Sequence, residues 1–122
     1  MLCVRDLGRS RAFYVDALGA SVLSEESDVA VLRLGGTVLY LFTESAPTLD
    51  KPNIHLAPPA PAGPSSVVVV LRVDDARTAY AELVERGVEF AMPPTEPPWG
   101  GLRCFARDPD GYVIEVEQPP RT

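Results

Sequence analysis

Hydrophobic positions recur along the chain with two periods, one typical of strands and one typical of helices. In the first 43 residues they predict a strand, a helix and three strands, at Leu2–Arg5, Leu7–Leu18, Ser21–Glu25, Val29–Leu34 and Thr37–Thr43. The last 57 residues predict the same order, at Ser66–Val73, Ala76–Arg86, Val88–Ala91, Leu102–Arg107 and Tyr112–Glu117. The sequence therefore predicts an α+β chain built from two βαβββ modules.

Helix boundaries support this repeat. Asp6 and Asp75 directly precede the two helices, where a carboxylate can accept hydrogen bonds from unpaired backbone N–H groups. Gly19 and Gly87 follow the helices, where a left-handed residue commonly ends a helix. The same residue types therefore flank the helix in both modules.

Prolines mark the connection between the modules. Six of the thirteen prolines lie in one stretch: Pro47, Pro52, Pro58, Pro59, Pro61 and Pro64. Proline disfavours helix and cannot donate to a strand ladder, so we expect an extended connector here. We predict a single domain with module 1 at residues 1–43, a proline-rich linker at 44–65 and module 2 at 66–122.

Composition and charge narrow the classes of function. The 122 residues are 46% hydrophobic and carry a formal net charge of −6, with no basic cluster that could neutralise phosphates. We therefore expect no nucleic acid among the partners. The longest apolar run, Val67 to Leu71, is too short to cross a membrane, and no export signal follows Met1. Cytoplasmic localisation is the expectation, with both cysteines reduced.

Four sequence segments together resemble one superfamily. They are Val4-Arg-Asp-Leu-Gly-Arg-Ser-Arg-Ala-Phe-Tyr14, Leu18-Gly19, Trp99-Gly100 and Asp108-Pro-Asp-Gly-Tyr-Val-Ile-Glu115. The resemblance is to the vicinal oxygen chelate superfamily, which includes glyoxalase I, bleomycin-resistance proteins, fosfomycin-resistance enzymes and extradiol dioxygenases. It implies that the paired modules form a curved, U-shaped mixed sheet around a cavity, and that the protein is a homodimer.

Alternation along the strands predicts which side chains line this cavity. Helix-facing positions are Leu39, Leu41, Ile114 and Val116. The opposite face carries Val38, Tyr40, Phe42, Val68, Val70, Arg72, Val113, Glu115 and Glu117. Such a mostly apolar and aromatic lining is typical of sites for small molecules.

The metal-ligand positions that the resemblance implies hold unsuitable residues. Two of them fall on the last strands, at Tyr40 and Glu115, and a third falls at Val68. The fourth would precede Met1, and the one histidine, His55, lies in the proline-rich linker. Because divalent metals need several nitrogen or oxygen ligands, we predict neither a metal nor another cofactor.

Two side chains allow several interpretations. Glu115 is a remnant metal ligand, an acid that attracts a cationic ligand, or a carboxylate paired with Arg5 or Arg72. If unpaired and buried, it could act as a general base. Trp99 either closes over a planar ligand or anchors its loop against the sheet.

Two functional hypotheses follow. The first is a metal-free protein that binds a small molecule, sequestering an antibiotic or another planar or cationic metabolite. The alternative is a lyase, isomerase or dioxygenase that uses a metal or Glu115. In either case we expect the small molecule at Tyr40, Phe42, Val68, Val70, Trp99 and Glu115, with no predicted catalytic residue in the first case.

Overall fold

The computed structural model describes residues 1–121, which divide into a first unit, Met1–Pro61, and a second unit that begins at Ala62. Each unit has its own sheet and helix. Both sheets combine parallel and antiparallel pairs. The predicted α+β class is therefore confirmed.

The first unit has the complete βαβββ order. Its elements are β1 (Leu2–Val4), α1 (Leu7–Ala12), a π-helical turn (Phe13–Ala17), β2 (Ser21–Glu25), β3 (Val29–Leu34) and β4 (Thr37–Thr43). The strand order in the sheet is β1-β4-β3-β2. β1 pairs with β4 in parallel, whereas β2, β3 and β4 pair antiparallel. The three long strands have the bounds that the sequence predicted.

The first helix begins and ends as its sequence indicates, with one difference. The Asp6 carboxylate accepts a hydrogen bond from the backbone N–H of Arg9, which caps the helix. The α-helix ends at Ala12, and a wider turn follows in which the N–H of Leu18 donates to the carbonyl of Phe13. Gly19 then adopts a φ of 81°, which only glycine adopts easily, and turns the chain into β2.

The second unit has the same order with one strand fewer. It contains β5 (Val68–Arg72), α2 (Ala76–Glu85), β6 (Leu102–Arg107) and β7 (Val113–Gln118). The sheet order is β5-β7-β6, with β5 parallel and β6 antiparallel to β7. The Asp75 carboxylate accepts from the N–H of Thr78 and caps α2, and this hydrogen bond lowers the pKa of the carboxyl.

The predicted strand at Val88–Ala91 is wrong. Only one bridge forms there, between Phe90 and Ala106 on β6. The N–H of Val88 instead donates to the carbonyl of Leu83 at the end of α2, so it is unavailable to a sheet. Pro93 and Pro94 follow directly and have no N–H to extend a ladder.

Each unit buries the helix-facing side of its own sheet. The largest fully buried hydrophobic side chains are Val4, Tyr14, Leu32 and Leu41 in the first unit and Cys104, Ile114 and Val116 in the second. Helix α1 packs on β4, and α2 packs on β7 and β6. The opposite face of each sheet is left for other contacts.

The proline-rich segment contains a small hairpin. The backbones of Ser45 and Leu56 exchange two hydrogen bonds of 2.9 Å, and Thr48 pairs with Lys51 at the tip. Further along, the Arg5 guanidinium donates to the Pro59 carbonyl. Among residues 1–121, no helix has the length and apolar character needed to span a membrane.

Candidate functional site

The six residues predicted to bind a ligand belong to both units. Tyr40 and Phe42 lie on β4 of the first unit. Val68 and Val70 lie on β5, Glu115 on β7, and Trp99 on the loop before β6 of the second unit.

The outer face of the first sheet presents an aromatic and apolar strip. Tyr40 is 42% exposed and Val38 is exposed beside it, while Leu39 and Leu41 point into the core. Phe42 is partly buried on the same face as Tyr40. Tyr40 lies opposite Val31 of β3, so an exposed phenol ring stands on an apolar surface.

The outer face of the second sheet is ordered in rows across its three strands. One row joins Val70, Glu115 and Phe105 on β5, β7 and β6. The neighbouring row towards the end of β7 joins Arg72, Glu117 and Arg103. Exposed valines therefore lie on one edge of this face, and charged and aromatic side chains lie beside them.

A cluster of four side chains connects the Trp99 loop to this face. The guanidinium carbon Cζ of Arg103 lies 4.7 Å from the ring centre of Trp99 and 5.2 Å from that of Phe105. Nη1 of Arg103 lies 3.9 Å from Oε1 of Glu115. These four residues are called the Arg103 cluster below.

Glycines position Trp99 in this cluster. Gly100 and Gly101 follow it with φ values of 92° and 76°, and the chain then enters β6. The backbones of Thr95 and Arg103 exchange two hydrogen bonds, which close the loop. Trp99 is 61% exposed, so its ring contacts Arg103 and still presents a large surface to solvent.

The sequence did not identify Arg103 or Phe105 as site residues. A signal was present, because the buried Cys104 between them implies that both neighbours point to the outer face. The alternation along β6 does not show, however, which residue of β7 lies opposite each residue of β6. The register, which pairs Phe105 with Glu115, brings them together.

Within the second unit, the partner of Glu115 is not Arg72. Arg103 holds that position, while Nε of Arg72 lies 3.5 Å from Oε2 of Glu117. Two arginines and two glutamates thus balance each other on the outer face. The charge of Glu115 is offset by Arg103, which weakens the case for a cationic ligand drawn from the sequence.

Two clefts open on the second unit. One, of about 640 Å³, includes Phe90, Phe105, Val113 and Arg107 in its lining. It shares Phe105 with the Arg103 cluster, and its volume suits a small organic molecule. The other, of about 530 Å³, lies at Arg72, Gln118 and the prolines that follow, and no aromatic side chain lines it. The first cleft is the better candidate because it adjoins the stacked rings.

The donor set does not suit a divalent metal. Of the positions that metal-binding relatives would use, Val68 offers no donor and Tyr40 offers a phenol, which leaves Glu115 beside Arg103. Within residues 1–121, no three His, Cys, Asp or Glu side chains form a group that could hold an ion. We therefore derive no chemistry through a metal.

Both cysteines are buried thiols, and Cys104 lies in the core of the second unit. Burial raises the pKa of the Cys104 thiol to about 11. At neutral pH the group is therefore protonated and shielded, and it acts as a small hydrophobic side chain.

This pKa predicts a loss of stability in alkali. Between an ordinary thiol pKa of 9.0 and about 11 in the fold, the unfolded chain releases the proton of Cys104 and the folded chain keeps it. The free energy of unfolding should thus fall with rising pH in this range, by about 2–3 kcal/mol from this group. Urea unfolding of the wild type and of Cys104→Ala at several pH values measures the effect. Equal slopes for the two proteins would contradict it.

Comparisons with known proteins identify relatives over nearly the whole chain. The family model described as Glyoxalase/Bleomycin resistance protein/Dioxygenase superfamily matches residues 1–116. A search of curated proteins found no significant match.

Several solved structures are similar. A glyoxalase/bleomycin resistance protein/dioxygenase from Nocardioides is 26% identical with a TM-score of 0.78, over 98% of this chain and 80% of that one. TnmS3, an antibiotic binding protein from Streptomyces sp. CB03234, is 28% identical with a TM-score of 0.67, over 97% and 90%. A lactoylglutathione lyase from Agrobacterium tumefaciens, at 19% identity, a TM-score of 0.76 and coverage of 96% and 88%, is similar in fold. The same fold thus occurs in a binding protein and in an enzyme.

Proposed function

Since the chain belongs to the Glyoxalase/Bleomycin resistance protein/Dioxygenase superfamily, we propose that it is a metal-free binding protein that sequesters a planar aromatic small molecule such as an antibiotic. The observation that carries the proposal is the Arg103 cluster with its largely exposed Trp99 ring. An exposed indole held against a guanidinium presents one flat surface to a second ring. Sequestration requires affinity alone, and this arrangement supplies it.

The surroundings of Trp99 support a planar ligand over an aliphatic one. Phe105 also lies under the Arg103 guanidinium and lines the cleft of about 640 Å³. Exposed valines at Val68 and Val70 extend the apolar surface across β5. A fused ring system would bury apolar area on these side chains and stack on the indole, whereas a flexible chain would lose more conformational freedom on binding.

Similarity to TnmS3 supports an antibiotic as the kind of molecule bound. We propose Tyr40 and Phe42 as further ligand contacts, because Tyr40 presents an exposed aromatic ring on its own sheet. An enzyme that uses Glu115 as a base is not favoured, because Arg103 lies beside that carboxylate.

The test is a panel of planar aromatic antibiotics and naphthalene derivatives, each paired with a saturated analogue of similar size. Trp99 is the one tryptophan of the sequence, so its fluorescence reports binding at this place. We expect the aromatic members to raise the melting temperature and to change Trp99 fluorescence. Trp99→Ala should weaken binding by about 2- to 12-fold, because stacking of the ligand on an aromatic ring contributes ~0.5–1.5 kcal/mol.

Two variants control for general effects. Trp99→Phe keeps a ring and should retain most of the affinity, and Leu49→Ala changes a fully exposed side chain of the first unit and should bind like the wild type. Equal binding of the aromatic and saturated compounds would refute the proposal. So would a ligand that binds tightly and leaves the fluorescence of Trp99 unchanged.

A further inference from the structure

We propose that Arg103 determines which planar molecules bind, by donating hydrogen bonds to an acidic oxygen of the ligand. The ligand class that follows is an aromatic acid, in which a carboxylate is attached to a flat ring. This inference rests on the proposed function and specifies its ligand. Two observations point to it. The Arg103 guanidinium lies over the rings of Trp99 and Phe105, and its distance to the Glu115 carboxylate is longer than a hydrogen bond.

Contact with the two rings leaves the N–H groups at the edge of the Arg103 guanidinium without a close hydrogen-bond acceptor. The rings of Trp99 and Phe105 contact the guanidinium through their π faces, while its five N–H donors point outwards in its own plane. Glu115, at 3.9 Å, is beyond hydrogen-bond distance. Among residues 1–121, no acceptor forms a hydrogen bond with the Arg103 side chain.

Two other arginines on the strands of this sheet differ in this respect. Arg107, four residues further along the same strand, donates to the carbonyls of Gly111 and Gly63 at 2.8 and 2.9 Å. Its guanidinium is therefore engaged by the backbone in a structural role. Arg72 is paired with Glu117 at its Nε, and its side chain is largely exposed. Arg103 alone of these three combines partial burial with aromatic stacking.

The relative exposure of Arg103 and Glu115 determines whether a ligand first meets a positive or a negative charge. The Arg103 side chain is 30% exposed and that of Glu115 is 16% exposed, so the arginine is the more accessible member of the pair. A cation approaching Glu115 would meet Arg103 first. An anion would meet N–H donors, with the less exposed Glu115 carboxylate 3.9 Å from Nη1.

The chemistry of the donors selects a carboxylate. Its two oxygens match the fork of guanidinium N–H groups and can accept two parallel hydrogen bonds. Contacts with two rings already restrict the arginine side chain, so less conformational freedom is lost when the ligand binds. A ring attached to the carboxylate can then stack on the exposed part of Trp99.

Three probes carry the same naphthalene ring system and differ in charge, so they separate the effect of ligand charge from that of stacking: 2-naphthoate, 2-naphthylmethanol and 2-naphthylmethylammonium. Isothermal titration calorimetry should rank the naphthoate first, about tenfold tighter than the alcohol, with the ammonium weakest. Arg103→Gln should remove this tenfold preference, so that the naphthoate and the alcohol bind to the variant with affinities within about twofold of each other. Arg103→Lys keeps the charge but not the fork, and should retain only part of the preference.

Arg72→Gln is the matched control. It removes the same charge from the same sheet face, at an arginine outside the cluster, and should leave the order of the three probes unchanged. Equal losses in Arg72→Gln and Arg103→Gln would overturn the inference, because a general field would then explain the preference. Equal affinity of the wild type for naphthoate and alcohol would overturn the inference and leave the proposed function standing. Binding by none of the three probes would count against both.

Arg103→Gln can also fail by unfolding the loop, so each variant is first compared by melting temperature and Trp99 fluorescence without ligand. If Arg103→Gln is destabilised, Arg103→Lys decides the question, because the long aliphatic stem of lysine can still cover apolar surface. A lysine variant that binds naphthoate as tightly as the wild type, with the same preference over the alcohol, would refute recognition by the guanidinium fork.

Discussion

Leu41→Ala should lower the free energy of unfolding by about 2–5 kcal/mol, the usual cost of removing a large aliphatic side chain from a packed core. Leu41 is fully buried and lies opposite Leu2 of β1 and Ala30 of β3, in the middle of the first sheet. Helix α1 packs on β4, so a cavity there would lie between sheet and helix. Urea unfolding followed by circular dichroism measures the change.

Tyr40→Ala is the matched control, because Tyr40 precedes Leu41 on the same strand and points to the outer face. It should cost less than about 1 kcal/mol, since a half-exposed ring gives up little buried area. Similar losses in the two variants would contradict the assignment of the two faces. A stable Tyr40→Ala protein is also suitable for ligand-binding measurements.

The fold of the first module was largely predictable because its signals are local. The hydrophobic period of Thr37–Thr43, the cap at Asp6 and the glycine at Gly19 each act within a few residues, and the structure has them where the sequence places them. The strand at Val88–Ala91 was predicted wrongly because the end of α2 competes for the N–H of Val88. The pattern of hydrophobic residues contains no information about this competition for a hydrogen-bond donor.

The candidate site was less predictable, because it depends on contacts between distant parts of the chain. Trp99 and Glu115 were recognised as candidates, but Arg103, which lies between them, was not. The period of β6 gives the face of each residue, while the partner across the sheet depends on the register with β7. The expected charge of the ligand depends on this register too. Glu115 alone suggests a cationic ligand, whereas Glu115 paired with Arg103 does not.

Gly101→Ala should destabilise the second unit and disturb the Trp99 loop. Gly101 has a φ of 76°, a conformation that strains an alanine. A Cβ at this position would also overlap the carbonyl oxygen of Gln118 and lie 2.9 Å from the nitrogen of Pro120. Both are backbone atoms, which cannot turn aside as a side chain can. Strain and overlap together predict a loss of about 2–4 kcal/mol, measured by urea unfolding.

Two other glycines separate strain from overlap. Gly100→Ala has a comparable φ of 92°, but its Cβ would meet only a side-chain atom of Pro120 at 3.3 Å, so it should cost clearly less than Gly101→Ala. Gly36→Ala meets nothing within 4 Å and has no positive φ, so it should be nearly neutral. Because its overlap with backbone atoms would displace the loop that carries Trp99, Gly101→Ala should also shift Trp99 fluorescence without ligand more strongly than Gly100→Ala does. Equal destabilisation by all three variants, or a Gly101→Ala protein as stable as the wild type, would show that the close approach of Gly101 to the Gln118 backbone does not hold the loop in place.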